Sequence, residues 1–298
     1  MADFQRGLGD ELKENLRIQP LFIEHLKKDI SNNKIFFAIR NKYASFYHKG
    51  CSLFSYGKMG HYFSTHHKFA FVPKKITKSY ITEAQLQCLE VETSFQKGYE
   101  KIKTQSELYA NIEAEGVSAL YKFAPTRENK HNRYFLVDIE IAFDARYDAI
   151  EQYEEEKNDA GKIKKIDILL YDNDDRELLF CEAKHFSNKD IWAREEEKPK
   201  VIEQLNSYNN QISMHKDNIV KEYTNAFIEY NDLIDSKLNP PESVYEKCGL
   251  LVFGFDSWQI GKIKKLLIKD NSLEGHKSKF IGNIIKYEDI AKIYEELK

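Results

Sequence analysis

Cysteine is scarce: Cys51, Cys88, Cys181 and Cys248 are the only four in 298 residues. They lie far apart and never form Cys-x-x-Cys, which argues against a disulfide framework and a zinc ribbon. Apolar runs are short, and none nears the roughly 18 residues of a membrane span. The first residues lack a basic-then-apolar signal pattern, so a reducing cytoplasm and no membrane partner are expected. Glycine patterns of the Walker and dinucleotide-binding kinds are missing, and ATP-driven movement would have to come from a partner subunit. Internal repeats, low-complexity tracts and Gly/Ser linkers are absent as well. The chain is long enough for one large domain, or for a main domain and a smaller one.

The most telling absence is local. Net charge is only -3, yet no Asp or Glu occurs between Ile30 and Thr82. That segment holds nine Lys/Arg (Lys34, Arg40, Lys42, Lys49, Lys58, Lys68, Lys74, Lys75, Lys78) and four of the nine histidines. Acids gather elsewhere, as in Glu151–Glu156 and Asp172–Asp175. Such asymmetry is the footprint of a polyanion-binding lobe, with Lys34, Arg40, Lys42, Lys49 and Lys68 the candidates for phosphate contacts. The interleaved aromatics, Phe36, Phe46, Tyr47, Phe54, Phe63 and Phe69 among them, suit a strand core better than a stacking surface. His61, His66 and His67 lack cysteine partners at ligand spacing, which disfavours zinc.

Helical periodicity over Glu11–Ile30 is interrupted near Pro20, and KIFFAIR, YASFYHKG, CSLFSYG and HKFAFV then read as short strands. Turn signals stand at His48-Lys49-Gly50 and between Tyr56 and Gly60. The pattern predicts a basic helix-plus-β-meander lobe over residues 1–79 and a second domain over residues 80–298. Ile81–Phe123 reads as helical and is expected to pack on the sheet of that second domain. The strand YFLVDIEIAF follows, with Asp138 and Glu140 expected together on a solvent face. Val201–Leu238 reads as a long helix or a broken pair, KCGLLVFGFD as a buried strand, and Trp258–Lys269 as a basic helix with Lys262, Lys264, Lys265 and Lys269.

Chemistry concentrates between Lys165 and Lys184, where two apolar strand-like runs flank an Asp/Asn-rich turn. Glu-x-Lys occurs six times in the chain, but only Glu182-Ala183-Lys184 closes an apolar strand with a strand-borne acid, Asp167, upstream. Alone, the tripeptide would be a surface ion pair of little energetic weight. Residues two apart on a strand share a face, so Glu182 and Lys184 project together. If Tyr171 pairs with Leu178, Asp167 falls opposite Glu182, close enough to share one ion. Bare carboxylates beside apolar neighbours cost several kcal/mol each unless a cation compensates, so the pattern points to a metal site. Mg2+ takes such oxygens and keeps several waters, and a nearby lysine can offset developing charge on a phosphorane. Beyond the charged loop Arg194–Lys198, Pro199 suits a first helical turn. Val201, Leu205, Tyr208 and Ile212 then form an amphipathic stripe, with Gln204 one turn before Tyr208.

Taken together, these residues resemble the PD-(D/E)xK, or restriction-endonuclease-like, nuclease superfamily over roughly residues 134–256, with Gln-x-x-x-Tyr as in its RecB-like branch. The resemblance implies an α/β fold whose mixed central sheet is flanked by helices in α-β-β-β-α-β order. It implies that Asp167, Glu182 and the Ala183 carbonyl bind Mg2+ or Mn2+, that Lys184 is catalytic, and that Gln204 and Tyr208 support the site and the substrate. Ile166 stands where the family name has proline. Glu107, Glu113 and Glu115 compete for the family's early helical glutamate, with Glu115 favoured. The implied function is hydrolysis of phosphodiester bonds, DNA favoured, in defence or repair. The alternative is a catalytically silent nucleic-acid-binding or assembly protein on the same fold. A homo-oligomer or a partner subunit is compatible with either.

Overall fold

A computed structural model of the chain describes residues 4–72, 78–89, 92–143, 165–192, 198–263, 273 and 275–298. Lys74, Lys75, Glu151–Glu156, the loop from Arg194 to Glu197, Lys264, Lys265 and Lys269 lie outside the described residues. The protein is mixed α/β and divides into two units. The N-terminal unit comprises Gln5–His131 with Glu222–Leu238; the C-terminal unit comprises Asn132–Lys221 with Asn239–Lys298 and the first residues up to Phe4. Each carries a five-stranded sheet.

In the N-terminal unit, α1 (Asp10–Arg17) stops just before Pro20, and the chain resumes as a π-helical turn, Phe22–Leu26, and α2 (Lys27–Ser31). Strands β1 (Phe36–Ile39), β2 (Ala44–His48), β3 (Cys51–Gly57), β4 (Gly60–His66) and β5 (Tyr80–Thr82) then form an antiparallel meander in sequence order. HKFAFV is not its fourth strand. Gly57 and Gly60 adopt φ of 96° and 85°, so the hairpin reverses at once and the return strand starts at Gly60. The chain then leaves the sheet at His67, whose Nδ1 meets the Val72 carbonyl, and Phe71 takes a φ of 59°. The aromatics are core: Phe36, Phe37, Phe46, Phe54, Tyr56 and Phe69 are buried, while Tyr62 and Phe71 are exposed.

Helices α3 (Glu83–Cys88), α4 (Phe95–Glu107) and α5 (Ile112–Ser118) follow. Ser94 and Asn111 accept hydrogen bonds from the first-turn N–H groups of α4 and α5. The helices expected on the second sheet pack on this one instead. The Phe95 and Tyr99 rings lie against Phe54. The Tyr99 hydroxyl and the Lys103 ammonium reach the buried Asp29 carboxylate at 2.8 and 2.6 Å. Accordingly the units part at His131, not at Ser79.

The C-terminal unit contains β6 (Tyr134–Ile141), β7 (Ile166–Asp172), β8 (Glu177–His185), α6 (Lys200–Ile234, its end counted with the other unit), β9 (Ser243–Phe253), α7 (Ile260–Ile263), β10 (Ser278–Ile281) and α8 (Ile290–Leu297). Strand order is β10-β9-β8-β7-β6. β6, β7 and β8 run antiparallel, whereas β8, β9 and β10 are parallel, so the sheet is mixed. Ile168–Tyr171 and Leu178–Cys181 are buried on both faces, as continuous apolar runs require. On one face α8 comes so near β9 that a Cβ on Gly249 would sit 3.0 Å from Leu297. A bulge shifts the register of β6 between Leu136 and Asp138, and Glu140 has a φ of 51°. Asp138 is therefore buried, its carboxylate accepting from the Ile139 N–H, instead of sharing a solvent face with Glu140.

Candidate active site

The acid-rich turn between β7 and β8 is a structural clamp. Asp172 accepts N–H bonds from Asp174 and Asp175 at 3.0 and 3.1 Å, and the Arg133 guanidinium grips the same carboxylate at 2.7 Å. Burial alone would raise the pKa of Asp172; Arg133 and the two N–H groups outweigh it and hold the carboxyl below its usual range. With the turn so held, Asp172 pairs with Glu177, Tyr171 with Leu178 and Ile168 with Cys181. Carried one step further, this register sets Asp167 opposite Glu182.

The side chains converge there. The Ala183 N–H donates to Asp167 Oδ2 at 2.9 Å. Lys184 Nζ lies 2.6 Å from Glu182 Oε1 and 3.8 Å from Asp167 Oδ2. The exposures grade the site: side-chain values are 29% for Asp167, 10% for Lys184 and 2% for Glu182. Burial pushes the Glu182 carboxyl well above the ordinary range, Asp167 pushes it further, and Lys184 offsets only part of this. One acceptor remains unmet, because Glu182 Oε2 is buried without a hydrogen-bond partner.

Helix α6 supplies the cover. Tyr208 is buried, and its hydroxyl donates to the Lys165 carbonyl at 2.9 Å, just before β7 begins. Burial raises its pKa, and Glu182 and then Asp167 add to the rise, so the phenol stays neutral beside both carboxylates. Gln204, one turn earlier, presents a buried Oε1 that also lacks a partner. Asn209 was not anticipated: its side-chain oxygen accepts from the Cys248 N–H at 2.7 Å and ties α6 to β9. Only its position next to Tyr208 could have suggested it.

Two carboxylates are the donor set, with the Ala183 carbonyl in the same segment. Among the described residues no three His, Cys, Asp or Glu side chains gather as a metal cluster. Two carboxylates nevertheless suit Mg2+ or Mn2+, which complete their shell with water. The orphaned Glu182 oxygen is one that a cation would satisfy once the carboxyl has lost its proton.

The basic candidates separate. Lys34 and Lys42 are exposed. Lys49 Nζ is 2.7 Å from Glu107 Oε2, and His48 Nε2 is 2.9 Å from Glu107 Oε1. Lys49 first, then His48, holds the Glu107 carboxyl below its ordinary range. The acid-free segment thus receives its counter-charges from α4. Half-buried Lys68 places its ammonium 5.5 Å from the centre of the Tyr109 ring. Arg40 is 1% exposed and lies against Tyr47, so it belongs to the core of the sheet and not to a phosphate-binding surface. Glu107, Glu113 and Glu115 all fall in the N-terminal unit; Glu107 is engaged by His48 and Lys49, and Glu115 is exposed.

No family model, no curated protein and no solved structure matches this chain. Among the described residues, no helix is long and apolar enough to cross a membrane.

Proposed function

We propose that this chain is a divalent-metal-dependent nuclease of the PD-(D/E)xK kind, RecB-like branch, hydrolysing phosphodiester bonds in DNA. The observation that carries the reading is the convergence of Asp167 and Glu182 on Lys184, with the second Glu182 oxygen buried and without a hydrogen-bond partner. Three antiparallel strands, a helix and a parallel strand on a mixed sheet support a restriction-endonuclease-like fold. Asp167 and Glu182, with the Ala183 carbonyl, would hold Mg2+ or Mn2+. Such an ion would supply Lewis acidity, lowering the pKa of a bound water and stabilising charge on a phosphoryl oxygen.

The residues of the chain divide the remaining work. Lys184 offsets part of the charge of Glu182, and its ammonium can stabilise charge developing on a phosphoryl oxygen. Glu182 must lose its proton to act as a ligand, which the raised pKa makes dependent on pH. Tyr208 anchors the start of β7 and keeps water from one side of the carboxylates. The unpaired Gln204 carbonyl oxygen can accept a hydrogen bond from a water or a substrate group. The competing reading, a silent nucleic-acid-binding protein, is favoured by the lack of a third acidic ligand among the described residues.

Purified protein incubated with labelled single- and double-stranded DNA and RNA, with and without Mg2+, separates the two. Cleavage is expected with Mg2+ and lost with EDTA. Undiminished cleavage by Glu182→Ala rejects the site.

A further inference from the structure

The strand that carries Glu182 and Lys184 ends at an aromatic cluster, with Phe186 and Trp192 half-buried and Phe255 buried. Just beyond His185, the Phe186 N–H bonds the Phe253 carbonyl at 2.7 Å, so the ends of β8 and β9 stay joined. Gly254, at a φ of 83°, lies so near that an added Cβ would be 2.2 Å from the His185 ring. On this rigid base the Phe186 ring meets Trp192 edge-on at 5.0 Å and Phe255 at 6.1 Å. The Trp192 indole N–H donates to the Phe186 carbonyl at 3.1 Å, which fixes the ring, and Lys262 Nζ stands 5.1 Å from its centre.

The second tryptophan follows on β9's side. After Phe255 the chain enters a tight 3-10 turn, Ser257–Gln259, capped by Asp256 and Gln259. Trp258 sits on that turn at 77% exposure, a higher value than any other large apolar side chain described. Lys262 is four residues further on, in the short helix α7 that follows the turn. Leaving an indole in water forgoes a large burial gain, so packing does not explain Trp258. Lys262 thus stands over the Trp192 ring and is four residues from Trp258 in the chain, and both segments follow directly on the ends of β8 and β9.

We propose that Trp192, Trp258 and Lys262 form a base-stacking platform for single-stranded nucleic acid, which makes an unpaired strand or strand end the preferred substrate. Exposed aromatic rings next to cations bind unpaired bases, whose faces a continuous duplex hides. Lys189 and Lys198 are exposed in the neighbouring segments, where the sequence also holds Asp190 and Glu195–Glu197, so Lys262 is the cation on which the platform rests. Asp256 is engaged as the cap of the turn. What happens to the strand rests on the nuclease reading; the binding does not.

The test uses the intact protein in EDTA. Two tryptophans are the whole indole signal, so quenching by an oligothymidylate reports stacking directly. A single strand is expected to quench, and a blunt duplex of equal length much less. Trp258→Ala should weaken single-strand binding about five-fold or more, the loss of one stacked base, and leave duplex binding unchanged. Because Trp258 is exposed, that variant should fold; Lys262→Gln, tested beside it, should weaken the same binding. Absence of quenching, or unchanged single-strand affinity in both variants, overturns the platform, and would be the result if this surface served a protein partner. A strand that binds and quenches but stays whole in Mg2+ would sink the nuclease reading and leave the platform standing.

Discussion

Replacing Glu182 by glutamine isolates the chemistry of the site with little change of shape. In the wild type the carboxylate has one oxygen on Lys184 and the other buried without a partner. An unmet buried acceptor costs about 1–3 kcal/mol, and more when it is charged. A cation that meets it stabilises the folded state by about 2.7 kcal/mol at a hundred times its dissociation constant. For a unit of this size, that is a rise in melting temperature of roughly 5–10 °C. The sign with pH follows from the raised pKa of Glu182. Between its unfolded value, about 4.3, and its higher folded value, the folded chain holds more protons than the unfolded one. Metal-free stability from this group therefore falls as pH rises through that window, and stabilisation by metal grows over the same range. Thermal melts with and without Mn2+, run from pH 5 to 8, should show this in the wild type. Glu182→Gln should lose both the metal shift and this pH trend, while melting without metal no lower than the wild type at neutral pH. An equal Mn2+ shift in Glu182→Gln, or none in the wild type, would refute the assignment of the cation to this carboxylate.

Asp167→Ala should abolish cleavage, and Lys184→Ala should lower turnover at least about a hundred-fold while keeping the Mn2+ stabilisation; gel assays paired with melts check both. Lys103→Met should cost about 3 kcal/mol in denaturant unfolding at pH 7, because it strands the buried Asp29. Burial opposes the ionisation of Asp29, but Lys103, Tyr99 and Lys34 hold its carboxyl below the usual range. The stability this contributes is present above the unfolded pKa, and the penalty of Lys103→Met should shrink as pH falls through that range. Reversing Lys34 and Lys42 to Glu should flatten the salt dependence of duplex binding by about 0.9 per lost phosphate contact. Lys49→Glu should matter less for DNA, since Lys49 is already paired with Glu107; filter binding across a salt series reads both.

The hairpin was legible because local chemistry decides it. Two apolar strands buried on both faces and a turn held by Asp172 leave one register, and Tyr171 stands opposite Leu178 in it. The long helix after Pro199 was equally open to reading, since its stripe of Val201, Leu205, Tyr208 and Ile212 is the face it buries. Harder to foresee was the strand at Gly60–His66. Its first half is exposed and polar, while HKFAFV looks more apolar but folds as turns around His67 and Phe71. Which sheet receives α4 depends on contacts far apart in sequence, such as Tyr99 and Lys103 with Asp29, and no local pattern announces them. Arg40 was misread for the same reason: an arginine on a strand looks basic in sequence, but its face of the sheet is covered.

Charge counted along the chain and charge placed in the fold diverge most in the N-terminal unit. The acid-free segment is balanced through space by Glu107, which takes His48 and Lys49 together. At Glu182 the opposite holds, because sequence and fold agree on an acid whose ionised form its surroundings leave incompletely compensated. A stability argument alone would replace Glu182 with a neutral residue, and Lys184 with it, since a buried ion pair is often no better than apolar packing. That Asp167 adds a second negative charge to the same spot makes the cost larger. A divalent cation held by both carboxylates would offset that cost. For that reason the metal-dependent melt, more than any count of basic residues, is the measurement on which the functional reading turns.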